Sequence, residues 1–358
     1  MDYVINKAME TEEKLGAERD DMDVAQANIK VIGAGGAGNN MVSWLYEKEV
    51  DGSDIIAVNT DYQQLNSTHA DKKFLIGKEV AKGLGCGGYP EKGRESAKES
   101  STEIKKSLEG SDLTFVCAGM GGGTGTGAAP VIAEEARKKG SIVIGVVTMP
   151  FKIERARIDK AEYGLKQLKD VCDTVIVIDN NRLVNIAGNL PVKQAFAVAN
   201  ELIATMIKGI VETISIPSLV NLDFADVKAI MSEGGVAAIG VGFSDTNNKV
   251  KEAVDGALTN PLLDISYSGA TGAIIQITGG PDMTLDEVNN AGELVTKEMD
   301  TDANVIWGAR IDDDMKGKLT IMTIITGVQS PWILGQEDEK TRKQENKAMS
   351  KELGIEMF

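Results

Sequence analysis

The sequence predicts an α/β protein with a doubly wound, mostly parallel sheet, a long central helix and a smaller α+β domain. Two observations lead to this prediction. Up to about residue 180, short runs that are apolar throughout alternate with helical stretches, as expected for strands buried on both faces of a parallel sheet. Beyond residue 235, strand-like runs and helices follow in a different order, which is typical of an α+β unit.

Six strands are expected in the first half. Each is an apolar run that is bounded by Gly, Pro, Asn or Asp. They cover 29–32, 54–58, 73–76, 113–118, 142–148 and 174–178. The helical stretches between them give repeated strand–helix–strand units, and hence a Rossmann-like parallel sheet.

A long helix is expected over 192–214, where apolar residues recur at helical spacing from Phe196 through Ile203 to Ile210. Some 20 residues of helix span ~30 Å, enough for a spine between two domains, and Pro217 ends it. A second helix starts near Asp223. The smaller domain has expected strands at 236–243, 273–278, 304–309 and 319–326, and helices at 249–258 and 285–298.

The chain therefore divides into five segments. They are an acidic N-terminal extension (1–27), the sheet domain (28–191), the central helix (192–216), the α+β domain (217–330), and a polar linker with a C-terminal docking peptide (331–358). The last five residues, 354–358, regain Ile, Met and Phe after the polar linker, and this end of the chain is interpreted as a short docking peptide that folds on a partner. A frayed tail is the alternative.

Composition excludes several classes of function. The net charge is −16, a field that repels phosphate backbones, so nucleic acid is not expected as a partner. His69 is the one histidine, which excludes a His-based triad or a multi-His metal site, and the three cysteines follow no metal or redox spacing. No run reaches the ~18 apolar residues of a membrane span, and no signal peptide is evident. A cytoplasmic protein is expected.

The first glycine-rich segment, 33–40, follows the first expected strand. Gly33, Gly35 and Gly38 match the fingerprint G-x-G-x-x-G, in which glycines let the backbone approach a phosphate at a helix N-terminus. Taken alone the match is weak, and a tight structural turn remains the alternative.

Two further glycine-rich loops strengthen the phosphate interpretation. Residues 119–127 read GMGGGTGTG at the end of the fourth strand, before a helix expected from about Ala128, and Thr124 and Thr126 add hydroxyl donors. Residues 83–91 form the third loop. Together they predict a triphosphate pocket built from main-chain amides at the carboxyl ends of strands. A P-loop motif is lacking. Because Asp61 closes the second strand, an NAD-type oxidoreductase stays open as the alternative.

Taken together, these motifs resemble the FtsZ family, the tubulin-like GTPases of prokaryotic cell division. GGGTGTG at 121–127 is the superfamily's signature loop, and NLDFADV at 221–227 is similar to its synergy loop. The motifs GGAGNN, NTD, TxPF and NxxL occur in the family's order. The resemblance covers about 28–328 and implies a self-polymerising GTPase whose filaments form a ring at the division site. The C-terminal residues differ from the common bacterial ending and look more like an archaeal member.

The resemblance assigns a nucleotide pocket to the sheet domain, which becomes the GTP-binding domain. Contacts to GTP or GDP would come from Gly35, Gly36, Ala37, Gly38, Asn39, Asn40, Asn59, Asp61, Gly85, Gly87, Gly122, Gly123, Thr124 and Gly125. Ribose contacts fall on Glu154, Arg157 and Asn180. Since Glu154 and Arg157 are three apart where the family has four, Arg155 is the alternative. Phe196 would stack on guanine and Asn200 would read its edge; without the resemblance, Phe196 is a core residue of the helix.

The resemblance also assigns the catalytic groups. Asp223 and Asp226, with Asn221 beside them, would enter the pocket of the next subunit in a head-to-tail homopolymer and activate the attacking water. From the sequence alone the two acids read equally as a helix N-cap and a first-turn acid. Mg²⁺ is expected on the phosphates, with no dedicated protein ligands. Membrane-anchoring or division-regulating proteins are the expected partners of the C-terminal peptide.

Overall fold

The computed structural model describes residues 27–216, 218–232, 235–259, 262–263, 266–267, 269–297 and 299–328. The predictions for the N-terminal extension up to residue 26, for Pro217 as a helix stop, and for the polar linker and docking peptide lie outside these residues.

A parallel sheet forms the first half, as predicted. Its strands are β1 (Ile29–Ala34), β2 (Ser53–Asn59), β3 (Lys72–Leu75), β4 (Leu113–Gly119), β5 (Ile142–Met149) and β6 (Thr174–Asp179). The order in the sheet is β3-β2-β1-β4-β5-β6, and β1 pairs in parallel with both β2 and β4. Strand order therefore reverses beside β1, which creates the crevice where doubly wound sheets bind ligands.

The edge strand β3 departs from the prediction of strands buried on both faces. Lys72 and Lys73 are exposed, and Lys72 Nζ lies 3.0 Å from Asp54 Oδ2. In the described part of the chain β2 is the one strand that pairs with β3, so β3 lies at the margin of the sheet and tolerates charged side chains.

Helices cover both faces of this sheet. They are α1 (Gly35–Glu47), α2 (Tyr62–Ser67), α3 (Pro90–Glu99), α4 (Ser101–Ser107), α5 (Thr124–Lys138), α6 (Ala156–Lys169) and α7 (Asn180–Ala187). Alternate residues of each strand face opposite ways: Val31 joins a core with Met41 and Leu45 of α1, whereas Ile32 joins a second core with Ile132 of α5. This is the doubly wound arrangement.

The central helix α8 (Val192–Ser215) packs along α1 through a buried face that includes Ala199, Ile203, Ile207 and Ile210. Lys208 Nζ donates to the Lys48 carbonyl at 2.9 Å. By length and composition alone α8 could cross a membrane, a criterion that the core helix of a globular protein also meets. Its buried face lies in the core shared by the two halves of the molecule.

The second half continues the same sheet. Its elements are α9 (Phe224–Met231), β7 (Gly235–Ser244), α10 (Lys249–Leu258), β8 (Gly272–Gly279), α11 (Leu285–Thr296), β9 (Asn304–Ile311) and β10 (Leu319–Thr326). The strand order is β7-β10-β8-β9, and a short parallel pairing of β6 with β7 joins it to the first half, so the ten strands form one sheet. Each predicted strand and helix of this half is present within two residues of its expected bounds.

Candidate functional site

The loops that follow β1 and β4 are in direct contact. Gly35 has φ +70°, which glycine adopts readily, and a Cβ added there would lie 2.7 Å from the amide nitrogen of Gly125. A Cβ at Gly38 would lie 2.3 Å from the carbonyl oxygen of Cys117 in β4. These glycines are therefore required for the approach of two main-chain segments at the switch point of the sheet.

Helices begin earlier than the sequence indicated. We expected α5 from about Ala128, but it begins at Thr124, so Gly125 and Gly127 lie in its first turn. Glycine is needed there because a Cβ at Gly127 would lie 1.9 Å from the carbonyl oxygen of Pro90. Helix α1 likewise begins at Gly35. Two helix N-termini, each with unpaired amides and a positive dipole end, thus start side by side.

The signature loop leaves one position open. Among the residues that the structure describes, no atom other than those of its chain neighbours lies within 4 Å of a Cβ added at Gly122, whereas one at Gly123 would lie 2.6 Å from Cys86 Cβ in the third glycine loop. Gly122 lies two residues before Thr124, the first residue of α5, so this open position adjoins the N-terminus of that helix. Main-chain amides around such a space suit an anion.

Hydrogen bonds fix the third glycine loop against the end of β2. The Gly85 amide donates to the Thr60 carbonyl at 3.1 Å, and the Tyr62 amide donates to the Gly83 carbonyl at 3.0 Å. Thr60 Oγ1 lies 2.6 Å from Thr124 Oγ1, so the Thr124 hydroxyl is shared with Thr60. Thr126 is 1% exposed, and a Cβ at Gly164 of α6 would lie 2.4 Å from its methyl group. Thr126 is therefore buried with its methyl group against α6, and the expectation that its hydroxyl donates to a phosphate stays a prediction.

Asn39 and Asn59 are buried and hydrogen-bonded to each other beneath the glycine loops. In the amide orientation that satisfies both its ends, Asn39 Nδ2 donates to the Gly33 carbonyl at 2.8 Å and Oδ1 accepts from Asn59 Nδ2 at 3.1 Å. Asn59 Oδ1 accepts from the Thr60 amide at 2.8 Å. Asn40, by contrast, is exposed. Asn39 and Asn59 therefore hold the loop backbones together rather than pointing into open space.

Asp61 caps the short helix α2. Its Oδ1 accepts from the Gln64 amide at 3.1 Å, and its backbone forms a bridge with Leu84 of the third loop. A Cβ at Gly85 would lie 3.9 Å from Asp61 Cβ, and Gly87 packs on the ring of Tyr89. Asp61 thus joins the second strand to the third loop.

Phe196 is not a core residue. Its side chain is 44% exposed, and its ring meets Phe151 edge-to-face with centroids 6.1 Å apart. Asn200 lies one helical turn further on, half-buried. Because Phe151 follows β5, this end of α8 lies at the carboxyl edge of the sheet, the edge of the glycine loops. The arrangement offers an accessible aromatic face and an amide on one side of a helix.

The segment after β5 carries a charged pair. Arg157 Nη1 lies 2.7 Å from Glu154 Oε2, and Glu154 Oε1 accepts from the Phe151 amide at 2.9 Å. Arg155 and Arg157 are both exposed, and a Cβ at Gly121 would lie 2.8 Å from the Arg157 carbonyl oxygen. Asn180 is the first residue of α7, directly after β6. These residues line up along the carboxyl edge beside the signature loop.

Lys160 lies beside the third glycine loop, a position that the sequence did not reveal. Its Nζ donates to the Gly88 carbonyl at 2.6 Å and lies 5.4 Å from the centroid of the Tyr89 ring. It places a cation beside the third loop of a strongly acidic chain. A single lysine within a helix carries no sequence signal for such a position.

Asp223 and Asp226 form a reciprocal cap at the start of α9. The Asp226 amide donates to Asp223 Oδ1 at 2.8 Å, and the Asp223 amide donates to Asp226 Oδ2 at 3.2 Å. Asn221 Oδ1 accepts from the Ser218 amide at 2.5 Å. Asn221 and Asp223 are exposed and Asp226 is partly exposed. The capping interpretation is confirmed, and the solvent-facing carboxylates remain accessible to a second molecule.

The two acids lie far from the glycine loops of their own chain. Helix α8 has 24 residues and is therefore ~36 Å long, with Phe196 near its beginning. Its last residue lies at the other edge of the sheet, because a Cβ at Gly52, before β2, would lie 2.6 Å from Ser215 Oγ. Asp223 and Asp226 follow this end. Loops and acids thus occupy opposite edges of one molecule.

No group of three or more His, Cys, Asp or Glu side chains is arranged to hold a metal ion among the residues that the structure describes. The donor groups near the glycine loops are mainly amides and hydroxyls.

Comparisons with known proteins agree with the geometry. The family model described as Tubulin/FtsZ family, GTPase domain, matches residues 28–188, and that of the FtsZ family, C-terminal domain, matches 235–329. The chain is similar to "Cell division protein FtsZ 2" of Methanocaldococcus jannaschii, with 56% identity over 323 residues, 89% of this chain and 85% of that protein.

Solved structures show the same fold. An empty FtsZ dimer of M. jannaschii is 46% identical with a TM-score of 0.78, covering 90% of this chain and 92% of that one. CetZ2 from Haloferax volcanii, in a GTPγS-bound protofilament, is 25% identical with a TM-score of 0.74, covering 90% of this chain and 99% of that one.

Proposed function

The chain belongs to the FtsZ family of tubulin-like cell-division GTPases, which polymerise into filaments, and from this premise we propose that it hydrolyses GTP between two copies of itself. The glycine loops of one copy hold the nucleotide, and Asp223 and Asp226 of the next copy supply the acids. Hydrolysis then depends on head-to-tail assembly.

One observation carries this proposal. The loops and the two acids lie at opposite edges of the sheet, separated by the ~36 Å length of α8. A carboxylate must come within about 3 Å of the water that it activates. Within one chain that distance cannot be bridged, whereas a second copy stacked on the carboxyl edge would bring its own acids to the loops.

We assign a distinct group of residues to each part of GTP. The amides at the starts of α1 and α5, with Gly122 and Gly123, would hold the phosphates, and Lys160 adds a cation next to the third loop. Glu154, Arg157 and Asn180 would contact the ribose. Phe196 would stack on guanine, and the amide of Asn200 would read its edge.

The acids act on water. Asp223 or Asp226 orients a water molecule and accepts its proton as the oxygen attacks the γ-phosphorus, and the bond to the β-phosphate oxygen breaks to leave GDP and phosphate. Asn221 would position the same water. Mg²⁺, held by phosphate oxygens and water, would supply charge neutralisation of the triphosphate.

The cellular role follows from the same assembly. We place the filaments in a cytoplasmic ring at the division site, where residues 352–358 meet a membrane-anchoring or division-regulating protein. The charge of −16 disfavours nucleic acid as a partner. The alternative of an NAD-type oxidoreductase is set aside, because the chain belongs to the FtsZ family and residues 28–188 match its GTPase domain.

Dilution tests the proposal. Phosphate release per molecule, measured with GTP and Mg²⁺ over a hundredfold range of protein concentration, should rise steeply above a threshold. Electron microscopy above that threshold should show filaments with GTP and fewer or none with GDP. Turnover per molecule that is independent of dilution, in protein that stays monomeric, would overturn the shared site.

A further inference from the structure

The strand β9 forms the margin of the sheet in the second half, and half of its outer edge is covered. The Val220 amide donates to the Ala309 carbonyl at 3.1 Å, and the Ala309 amide donates to the Val220 carbonyl at 3.2 Å. In the part of the chain that the structure describes, this bridge is the pairing on that side of β9. Residues 304–307 lie beyond it.

The bridge shows which backbone groups of β9 face outward. Since the amide and carbonyl of Ala309 point away from β8, those of Trp307 and Val305 do so as well, by the two-residue period of a strand. The Asn304 amide, one residue out of phase, points the other way and donates to the Thr271 carbonyl at 2.9 Å. Val305 and Trp307 thus present a short open ladder, a feature that sheets normally cover.

A groove lined by both apolar and polar side chains runs beside this open ladder. It lies between β9 and α11, encloses about 640 Å³, and has Ile275 and Ile277 of β8 among its lining. Its rim is exposed: Leu285 is 76%, Trp307 41% and Val305 37% accessible. A strand added to β9 would direct every second side chain into this groove, because strand side chains alternate between faces.

The C-terminal residues have the matching pattern. Leu353, Ile355 and Met357 alternate with Gly354 and Glu356, so one face of an extended segment would be apolar. We propose that residues 353–358 of the same chain add to the outer edge of β9 as a further strand, with Leu353, Ile355 and Met357 in the groove.

The tether has the right origin and length. Thr326 at the end of β10 is level with Gly272 of β8, which is level with Asn304 of β9, so β10 ends two strands (~10 Å) from the open part of β9. Residues 329–352 then provide 24 residues between Val328 and the proposed strand. A flexible chain of that length has a mean span of roughly 25–30 Å, so docking within one chain has an effective concentration on the order of millimolar.

Docking would regulate the peptide. The same apolar residues are interpreted as the binding site for partner proteins. While they are docked on β9, a partner would have to compete with β9 for them. The inference does not depend on GTP hydrolysis, because it concerns only the second half of the chain and its C-terminal segment.

Hydrogen exchange of the full-length GDP-bound protein tests the proposal. The amides of Val305 and Trp307 should exchange at least tenfold more slowly in the natural chain than in a variant with Ile355→Asp and Met357→Asp. A matched control swaps two neighbouring residues through the double substitution Gly354→Ile and Ile355→Gly. This control keeps the composition but breaks the alternation of apolar side chains. The amides of Val305 and Trp307 should therefore exchange hydrogen as fast in the control as in the double-aspartate variant.

Three results would overturn the proposal. Equal exchange in the natural chain and the double-aspartate variant would show that the tail does not cover β9. Full protection in the swapped control would show that strand alternation is irrelevant. Protection that disappears on dilution would show that the tail of a second copy, rather than the chain's own, occupies the edge.

Discussion

Asp223 and Asp226 cap each other's backbone amides at the start of α9, with carboxylate-to-amide distances of 2.8 and 3.2 Å. Such a reciprocal cap stabilises a helix N-terminus. The same two carboxylates are the acids that we assign to catalysis. A substitution that removes the side chain therefore removes both roles at once, and the two roles must be separated by a variant that keeps the hydrogen bond.

Asp226→Asn makes that separation. The amide oxygen of Asn can still accept from the Asp223 amide, so we expect the free energy of unfolding and the affinity for GTP to stay close to those of the natural chain. Asp226→Ala should lose ~1 kcal/mol of stability. GTP turnover should fall roughly 10²- to 10⁴-fold in both variants, the scale of a lost acid–base group.

The control is Asp286→Asn, which removes a first-turn acid from α11 and should leave turnover unchanged. Normal turnover in Asp226→Asn would show that the carboxylate of Asp226 takes no part in hydrolysis.

Asn39 and Asn40 are neighbours with opposite environments. Asn39→Ala should destabilise the nucleotide-free protein by about 1–3 kcal/mol, because the Asn59 amide and the Gly33 carbonyl lose buried partners. Asn40→Ala should leave stability within ~0.5 kcal/mol, since Asn40 is exposed. Denaturant unfolding without nucleotide measures both. Equal stability of the two variants would contradict the role assigned to Asn39, which is to hold the loop backbones together.

Asn200→Ala tests base reading. We expect the preference for GTP over ATP, measured by competition binding, to fall roughly 3- to 10-fold as a hydrogen bond to the base edge is lost. Asn290→Ala, on the exposed side of α11, should change neither affinity. An unchanged preference in Asn200→Ala would place guanine recognition on another residue.

Gly122 and Gly125 of the signature loop have different surroundings. Gly122 borders open space, whereas Gly125 is packed against backbone. Gly122→Glu should fold normally, since nothing lies within 4 Å of its Cβ, yet lose GTP binding by roughly two orders of magnitude because a carboxylate faces the phosphates. Gly125→Ala should instead destabilise the fold by about 1–3 kcal/mol, because its Cβ would lie 2.7 Å from the Gly119 carbonyl oxygen. Thermal unfolding and nucleotide titration distinguish the two effects. Intact GTP binding by Gly122→Glu would move the phosphates away from this loop.

The strands were predictable because burial on both faces of a parallel sheet leaves apolar runs with few ambiguities. Even so, β3 escaped that logic, since its position at the sheet margin depends on strand order and not on local sequence. The joining of the two halves into one ten-stranded sheet likewise depends on the pairing of β6 with β7 and not on local sequence.

The glycine-rich segments were recognisable from the sequence as loops at strand ends, but the start of α5 was not. Glycine disfavours helix, so GTGTG reads as loop, whereas contacts with Pro90 and Gly119 require glycine inside the first turn. Burial of Asn39 and the position of Lys160 also depend on tertiary contacts. Phe196 lies on the apolar stripe of α8, and its position in the sequence therefore suggested a core residue. Near the beginning of the helix, however, the buried face does not extend over the whole stripe, and Phe196 lies outside it.

The central claim is that pocket and acids come from different copies, and mixing two inactive variants tests it directly. Asp226→Asn keeps the pocket and lacks the acid, whereas Gly122→Glu keeps the acid and lacks the pocket. An equimolar mixture should release phosphate at least tenfold faster than the sum of the two variants measured separately, because head-to-tail contacts pair an intact pocket with an intact Asp226. A mixture no faster than that sum, while the two variants co-assemble, would contradict the claim.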